Sequence, residues 1–246
     1  MTKNNLSSFV IHLDRAQGRK NHVARLLECL PNAEVLDAVD GRAMSVEEQK
    51  ELVPNRPILA PRYPFKLRPT EIGCFASHRA AWQQIVDRKL PYALIFEDDA
   101  VVDPVLFEAA IEAALCQIGP DGYIQFQVRD VKGSTHLVAR GAAKVLRPMH
   151  VPLRASAQLV SFEAAQTLLA KSVKFDRPVD TWLQMVWETG VEITCVWPSG
   201  VTDQTEQAGG TTIGQKRGVF DRIRAEILRP LYRRKISALS QKHWPY

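Results

Sequence analysis

Short apolar stretches alternate along the chain with longer segments in which apolar residues recur every three or four positions. The stretches at 8–13 and 34–39 predict strands, and the segments at 19–30 and 70–87 predict helices. One stripe of the segment 70–87 is apolar and contains Ile72, Phe75, Trp82, Ile85 and Val86. Strands that alternate with amphipathic helices favour an α/β layered fold with a largely parallel sheet.

The middle of the chain continues this alternation. The apolar run 92–96 (YALIF) predicts a strand buried on both faces, and Asp103 before a proline predicts the N-cap of the next helix. The alternating segment 123–128 predicts a half-buried strand, and 136–151 predicts a hairpin that turns near Gly141.

The following segment contains two further helices and a strand. Ser161 and Asp180 are both predicted to cap helices, the second of which ends at Gly190. The segment 191–197 predicts a last strand. The polar, glycine-containing segment 202–214 has no apolar period and is predicted to be a loop.

The C-terminal segment 215–246 differs in charge from the rest of the chain. It contains nine Lys or Arg residues against Asp221 and Glu226 only, a net charge of +7 within a chain whose formal charge is +5. Its apolar spacing predicts a basic amphipathic helix, interrupted near Pro230. We therefore divide the chain into a main domain, 1–213, and a basic tail, 214–246.

Composition excludes several classes of protein. At 46% hydrophobic and 24% charged residues, the chain does not resemble disordered, collagen-like or disulfide-rich proteins. The net charge is too small to indicate a nucleic-acid binder. No run approaches the ~18 apolar residues of a membrane span, and the N-terminus lacks a signal-peptide pattern.

The four cysteines do not form a metal-binding or redox motif. Cys29, Cys74, Cys116 and Cys195 are far apart in the sequence and include no C-x-x-C pair. We expect reduced, mostly buried thiols in a cytosolic protein.

Three consecutive acids, Glu97, Asp98 and Asp99, follow the buried strand and are the strongest chemical signal. Ligands in open α/β sheets bind beyond the carboxyl ends of strands, and Mg²⁺ or Mn²⁺ neutralises clustered carboxylates while bridging a diphosphate. The alternative is a strand-end turn with solvated acids.

Other candidate residues have weaker signals. His78, beside Ser77, lies on an apolar helix face and reads as either a core residue or a functional one. Asp14 and Arg19 flank a helix start that would suit a diphosphate or would simply be a solvated basic turn. Asp180 reads equally as an N-cap and as a carboxylate in a cleft.

In this order, these segments resemble glycosyltransferase family 25, the lipopolysaccharide and lipooligosaccharide galactosyltransferases whose relatives include collagen galactosyltransferases. The matching segments are VIHLDRAQGR, the DAVDG turn at 37–41, LRPTEIGCFASHRAAWQQIVDRKLPYALIFEDDA at 67–100, SFEAAQTLL and RPVD at 177–180. The likeness covers residues 8–213, so it implies that the domain 1–213 is a catalytic domain. The helix E-I-G-C-x-x-S-H followed by the Glu-Asp-Asp strand is its most specific part.

The resemblance implies a GT-A-like, Rossmann-type mixed sheet flanked by helices, a UDP-galactose donor and a divalent metal, Mn²⁺ or Mg²⁺. Asp99 and Glu97 would then be metal ligands. The donor site would contain Asp14, Arg19, Ser77, His78, Glu97 and Asp98.

The expected reaction is the transfer of a sugar with inversion from the nucleotide diphosphate to a hydroxyl of a lipooligosaccharide or other glycan. Asp180 is our candidate general base, because it starts a helix in the acceptor half. A retaining mechanism stays open. A metal-dependent phosphohydrolase and a non-catalytic, membrane-recruited interaction domain are the alternatives.

The tail supports an expectation about location. Its basic residues would attach the protein peripherally to the inner face of the cell membrane, since each Lys or Arg near an anionic surface contributes roughly 1 kcal/mol. A docked C-terminal helix with a solvated basic face is the alternative. No nucleic-acid partner is expected.

Overall fold

The computed structural model describes residues 6–203 and 219–243, and the side chains of the last helix from residue 226 onward. The described strands are β1 Ser7–His12, β2 Ala33–Asp37, β3 Tyr92–Glu97, β4 Ala100–Val102, β5 Tyr123–Phe126, β6 Ser134–Arg140, β7 Ala143–Pro148, β8 Ala157–Ser161, β9 Ile193–Trp197 and β10 Val201–Asp203. The described α-helices are α1 Lys20–Cys29, α2 Val46–Leu52, α3 Pro69–Asp87, α4 Pro104–Gln117, α5 Phe162–Lys171, α6 Val179–Leu183, α7 Val186–Thr189 and α8 Val219–His243.

Eight strands form one mixed sheet in the order β2-β1-β3-β8-β5-β9-β7-β6. The pairs β1–β2, β1–β3 and β5–β9 are parallel, whereas β8 pairs antiparallel with both β3 and β5. The expected α/β mixed sheet flanked by helices is confirmed, but a largely parallel sheet is not. The sequence pattern does not predict strand β8, because the helix that begins after Ser161 follows the strand without a turn.

Helices cover both faces of the sheet, so the fold has three layers. Alternate residues of β3 divide between the two cores: Ala93 and Ile95 pack with α3, α5 and α6, and Leu94 and Phe96 pack with α4. Because both faces are covered, residues 93–96 of β3 are buried, as the sequence predicts, while Tyr92 at the start of the strand is half-buried.

Two details of the local predictions are wrong. Strand β5 is fully buried rather than half-buried, because it lies between β8 and β9 in the middle of the sheet. Asp180 is not the N-cap of its helix, since Pro178 occupies that position and the helix breaks into α6 and α7. Asp103 and Ser161 do cap their helices, and the short helix α2 was not predicted.

The C-terminal helix α8 runs through Pro230 without interruption and packs against the rest of the chain. Tyr232 and Ile236 are buried beside Met185, and Arg177 donates a hydrogen bond to the Tyr232 hydroxyl at 2.8 Å. These contacts offset the ~3 kcal/mol by which proline disfavours a helix interior. Of the predicted loop at 202–214, only the start falls within strand β10, and residues 204–214 lie outside the described part.

All four cysteines are free thiols, as expected, but only Cys195 is buried. Cys29, Cys74 and Cys116 are exposed, so the expectation of mostly buried thiols is wrong. Among the described residues, no helix has the combination of length and apolar character that crossing a membrane requires.

Candidate functional site

A cleft of about 460 Å³ lies at the carboxyl end of β3. Helix α3, the start of α6 and the C-terminal helix α8 form its walls. Its charged lining residues are Glu71, Glu97, Asp99, Asp180, Asp203, Arg68, Arg154, Arg229 and Arg233. Helix α8, which the sequence separates from the catalytic domain, is therefore part of the same cleft.

The three consecutive acids after β3 divide between two environments. Glu97 is the last residue of β3 and lines the cleft together with Asp99. Asp98 is buried: its carboxylate accepts a hydrogen bond from His12 Nδ1 at 2.7 Å and forms an ion pair with Arg19. Alternation of side chains across the turn thus places two of the three consecutive acids, Glu97 and Asp99, in the cleft.

The surroundings of Asp99 in the cleft disfavour its ionised form. Desolvation and the neighbouring Glu97 raise the pKa of Asp99 to about 6, against the opposing effect of Arg19. Its Oδ1 atom is buried and, among the residues that the structure describes, has no hydrogen-bond partner. A desolvated carboxylate oxygen beside a second carboxylate is what a hard divalent cation neutralises, so Asp99 and Glu97 could hold Mn²⁺ or Mg²⁺.

A buried chain of hydrogen bonds reaches Glu97 from the core. The Tyr123 hydroxyl donates to Gln158 Oε1, and Gln158 Nε2 donates to the Ala155 carbonyl at 2.6 Å and to His78 Nδ1 at 3.2 Å. Because the amide nitrogen can only donate, Nδ1 of neutral His78 must accept. The proton therefore lies on Nε2, which donates to Glu97 Oε1 at 3.0 Å.

Cys74 lies one helical turn before His78 and faces the same carboxylate. Its Sγ atom is 3.7 Å from Glu97 Oε1, and Cys74, His78 and Glu97 together could hold a metal ion by proximity. A metal bound to His78 Nε2 would require the ring proton to lie on Nδ1. There it would face the Gln158 amide N–H, and two donors would oppose each other. This arrangement makes His78 a hydrogen-bond donor to Glu97 rather than a metal ligand.

Close backbone packing holds helix α3 in place. A Cβ atom on Gly41 would lie 1.8 Å from the Pro69 carbonyl oxygen, and one on Gly73 would lie 2.5 Å from that of Val39. The buried Ser77 hydroxyl accepts from the Val39 amide and donates to the Gly73 carbonyl, each at 2.8 Å. Ser77 thus ties the 37–41 turn to the helix that carries His78.

Asp180 lies in the same cleft as Glu97 and Asp99. Its Oδ1 accepts from the Thr181 amide at 2.6 Å and the Thr181 hydroxyl at 3.2 Å, and its Oδ2 accepts from the Arg154 amide at 3.4 Å. Burial raises the pKa of Asp180 despite these donors. The carboxylate is oriented and favours its protonated form more than an ordinary aspartate does.

The remaining predicted donor-site residues lie apart from this cleft. Arg19 has its guanidinium on Asp98, with its side chain 40% exposed. The Asp14 carboxylate is highly exposed and is 3.4 Å from Lys20 Nζ. The structure therefore brings Arg19 to the acidic motif but leaves Asp14 at the surface.

The sequence pattern does not indicate several residues that line the cleft or lie behind it. Arg154 forms an ion pair with Asp203 across it, and Gln158 orients His78 from strand β8. Tyr232 and its neighbouring arginines enter from α8. The apolar spacing of α8 signalled a face that packs, but nothing in the sequence indicated which surface this face would meet.

One known protein family matches most of this chain. The family model of glycosyltransferase family 25 (LPS biosynthesis protein) matches residues 5–183, which include Glu97, Asp99 and Asp180 but neither Asp203 nor α8. Among solved structures, an inositol-1-phosphate CTP transferase from T. maritima is similar over all of both chains, with 8% identity and a TM-score of 0.38. This likeness is too low to support a conclusion about fold or activity.

Several relatives are similar to parts of the chain. Procollagen galactosyltransferase 2 of Mus musculus is 33% identical over 121 residues, covering 46% of this chain and 18% of the relative. Procollagen galactosyltransferase 1 of Danio rerio is 28% identical over 198 residues, covering 73% of this chain and 31% of the relative. The inactive glycosyltransferase 25 family member 3 of Mus musculus is 39% identical over 97 residues, covering 37% of this chain and 16% of the relative.

The aligned regions span less than a third of these relatives' own length, and one of the relatives is named inactive. The family-model match covers most of the chain and its acidic motif, and the chain belongs to glycosyltransferase family 25.

Proposed function

We propose that this chain transfers a hexose, galactose in the first instance, from a UDP-sugar to a hydroxyl group of a lipooligosaccharide or other glycan. The observation that carries the proposal is the position of Glu97, Asp99 and Asp180 in one cleft at the carboxyl end of a central strand. Family membership and the names of the galactosyltransferase relatives support the same reaction class.

The donor half of the proposal rests on Asp99 and Glu97. A buried oxygen of Asp99 without a partner in the described part of the chain and its raised pKa both fit a bound divalent cation. When bound, Mn²⁺ or Mg²⁺ would neutralise charge on the diphosphate leaving group. His78 and Gln158 hold the Glu97 carboxylate in position.

The acceptor half of the proposal rests on Asp180. A general base needs a fixed orientation and a pKa closer to neutrality than an exposed aspartate has. The Thr181 donors supply the orientation, and burial raises the pKa. Asp180 would accept the proton of the attacking hydroxyl, and transfer would invert the configuration at the anomeric carbon.

Turnover assays test this proposal. The protein is incubated with UDP-galactose, UDP-glucose and UDP-N-acetylglucosamine, each with Mn²⁺ and a lipooligosaccharide acceptor, and UDP release and glycan mass are followed. We expect metal-dependent addition of one hexose, with loss of activity in Asp180→Asn. The protein is also incubated with phosphomonoesters and Mn²⁺. Their cleavage, without sugar transfer in the first assay, would instead favour the phosphohydrolase.

The outward face of α8 supports a proposal about location. Ile227, Leu231, Arg234, Lys235 and Lys242 are exposed, and helical spacing places them on one side, opposite the face that packs on the protein. Exposed apolar residues among basic ones are typical of helices that lie on anionic membranes. Peripheral attachment to the inner face of the cell membrane would bring the cleft to lipid-linked acceptors.

A further inference from the structure

The inward face of α8 carries two arginines into the cleft. Arg229, Tyr232, Arg233 and Ile236 follow one another at intervals of three, one and three residues, so they share one side of the helix. Arg229, Tyr232 and Arg233 line the cleft together with Glu97, Asp99 and Asp180. The inference below rests on the proposed function of this cleft.

Several contacts hold this face of the helix in position. The Tyr232 ring packs edge-on against Tyr63 at 5.5 Å between centroids, and its hydroxyl accepts a hydrogen bond from the buried Arg177. One turn further on, the Ser237 hydroxyl is hydrogen-bonded to His150 Nε2 at 2.8 Å. The two arginines therefore project from a docked helix rather than from a loose tail.

The arginines that line the cleft differ in whether an acidic side chain is paired with them. Arg68 forms an ion pair with Glu71 at 2.8 Å, and Arg154 forms one with Asp203. Among the side chains that the structure describes, Arg229 and Arg233 form no ion pair. The guanidinium of Arg229 lies 5.6 Å from the centre of the Phe65 ring, which leaves its hydrogen-bond donors available.

We propose that Arg229 and Arg233 form an anion-binding site for a phosphate-class group of a substrate in this cleft. A guanidinium offers a planar pair of donors that matches phosphate oxygens, and two guanidiniums one helical turn apart suit one phosphate or diphosphate. They also offset the repulsion that Glu97, Asp99 and Asp180 exert on any anion that enters.

Two sources of this group share the same chemistry: the diphosphate of the donor and a phosphate carried by the acceptor glycan. With either source, helix α8 would bind substrate in addition to the membrane attachment proposed above. The two arginines lie outside the region 5–183 that matches the family model.

Binding of inorganic pyrophosphate tests the site without requiring turnover. The wild-type protein, Arg229→Gln/Arg233→Gln and the matched control Arg234→Gln/Lys235→Gln are titrated by calorimetry in EDTA, so that no metal contributes. We expect the first double variant to bind pyrophosphate at least tenfold more weakly and the control to match the wild type. Equal binding by all three, or equal loss in both variants, would overturn the proposal.

Steady-state kinetics then separate the two sources. A tenfold rise in the KM for UDP-sugar in Arg229→Gln/Arg233→Gln assigns the site to the donor diphosphate. A rise in the KM for a phosphorylated acceptor, with no change for the same acceptor after phosphatase treatment, assigns it to the acceptor. If neither KM changes, the arginines do not bind substrate. If no sugar is transferred at all, the proposed function fails, while the pyrophosphate result still decides the anion site.

Discussion

His78 donates a hydrogen bond from Nε2 to Oε1 of Glu97 at 3.0 Å, joining helix α3 to the end of strand β3 at the cleft floor. The imidazole is buried, while the Glu97 side chain is 27% exposed. Gln158 hydrogen-bonds to the other ring nitrogen of His78 and is itself hydrogen-bonded by the Tyr123 hydroxyl, so these two residues set the orientation of the ring. The Glu97 carboxylate is thus held by a chain of three residues from the core.

Removing this support should weaken metal activation more than it changes the chemical step. In His78→Ala and in Gln158→Leu, we expect the Mn²⁺ concentration for half-maximal activity to rise about 10- to 100-fold, the range typical of residues that orient metal ligands. The measurement is sugar transfer against Mn²⁺ concentration, with kcat determined at saturating metal. His78→Gln, which retains a donor, should recover part of the loss.

The exposed His136 provides a matched control. His136→Ala should leave both the Mn²⁺ requirement and kcat unchanged, since this residue lies on strand β6 away from the cleft. Zinc retained at one equivalent through purification and lost in Cys74→Ser would contradict the positioning role, because it would make His78 a ligand.

Metal binding should depend on pH through Asp99. Its pKa is raised to about 6, so the carboxyl group is protonated in the native protein over a range in which an ordinary aspartate is ionised. Protons therefore compete with the cation, and the apparent affinity for Mn²⁺ should fall as the pH drops below about 6. Calorimetric titration with Mn²⁺ between pH 5 and 8 measures this.

Asp99 should also make the unfolding free energy of the metal-free protein depend on pH. A pKa raised in the folded state means that the native form binds the proton more tightly, so the unfolding free energy falls as pH rises from about 4 to 6. Denaturant titration in EDTA measures this slope. Asp99→Asn should lack it; an identical slope in wild type and variant would assign the effect to another group.

Asp180→Asn should separate binding from catalysis. The amide retains the shape of the side chain but cannot accept the acceptor proton, so kcat should fall about 10²- to 10⁴-fold, the usual contribution of a general base. The KM for UDP-sugar should change little. Thr181→Val, which removes one hydroxyl donor to Asp180, should have a smaller effect in the same direction.

Product stereochemistry checks the same assignment. NMR of the product formed from UDP-α-galactose should show the β anomer, because direct attack by a deprotonated hydroxyl inverts the configuration. Retention of the α configuration would remove Asp180 from the role of base.

The outward face of α8 should control binding to anionic vesicles. Replacing Arg234, Lys235 and Lys242 by Gln removes three charges, each worth roughly 1 kcal/mol at such a surface, so co-sedimentation should weaken by about 100-fold at low salt. Arg229→Gln/Arg233→Gln, on the opposite face, should sediment like the wild type. Equal binding by the triple variant would contradict attachment through this face.

Local features of the fold could be predicted from the sequence because they depend on neighbouring residues. The apolar run of β3, the Asp103 cap and the periodicity of α3 are signals of this kind. The antiparallel insertion of β8 between β3 and β5 could not be predicted, because a strand of five residues does not reveal the direction of its neighbours.

The same limit applies to the candidate site. The Glu97-Asp98-Asp99 motif is evident in the sequence. That Asp98 turns away from the cleft depends on its contacts with His12 and Arg19, which lie about eighty positions earlier. His78 and Gln158 are likewise eighty positions apart. The tail could be recognised as amphipathic, yet only its docking shows which arginines face the cleft.

Calorimetric titration of UDP-galactose with and without Mn²⁺ tests the central claim, that Asp99 and Glu97 form the donor site, most directly. The wild-type protein should bind the donor in a Mn²⁺-dependent manner, and Asp99→Asn should lose that dependence. The control Asp103→Asn, which keeps an effective helix cap, should behave as wild type. Unchanged Mn²⁺-dependent binding of UDP-galactose by Asp99→Asn would contradict the assignment of the donor site to this carboxylate.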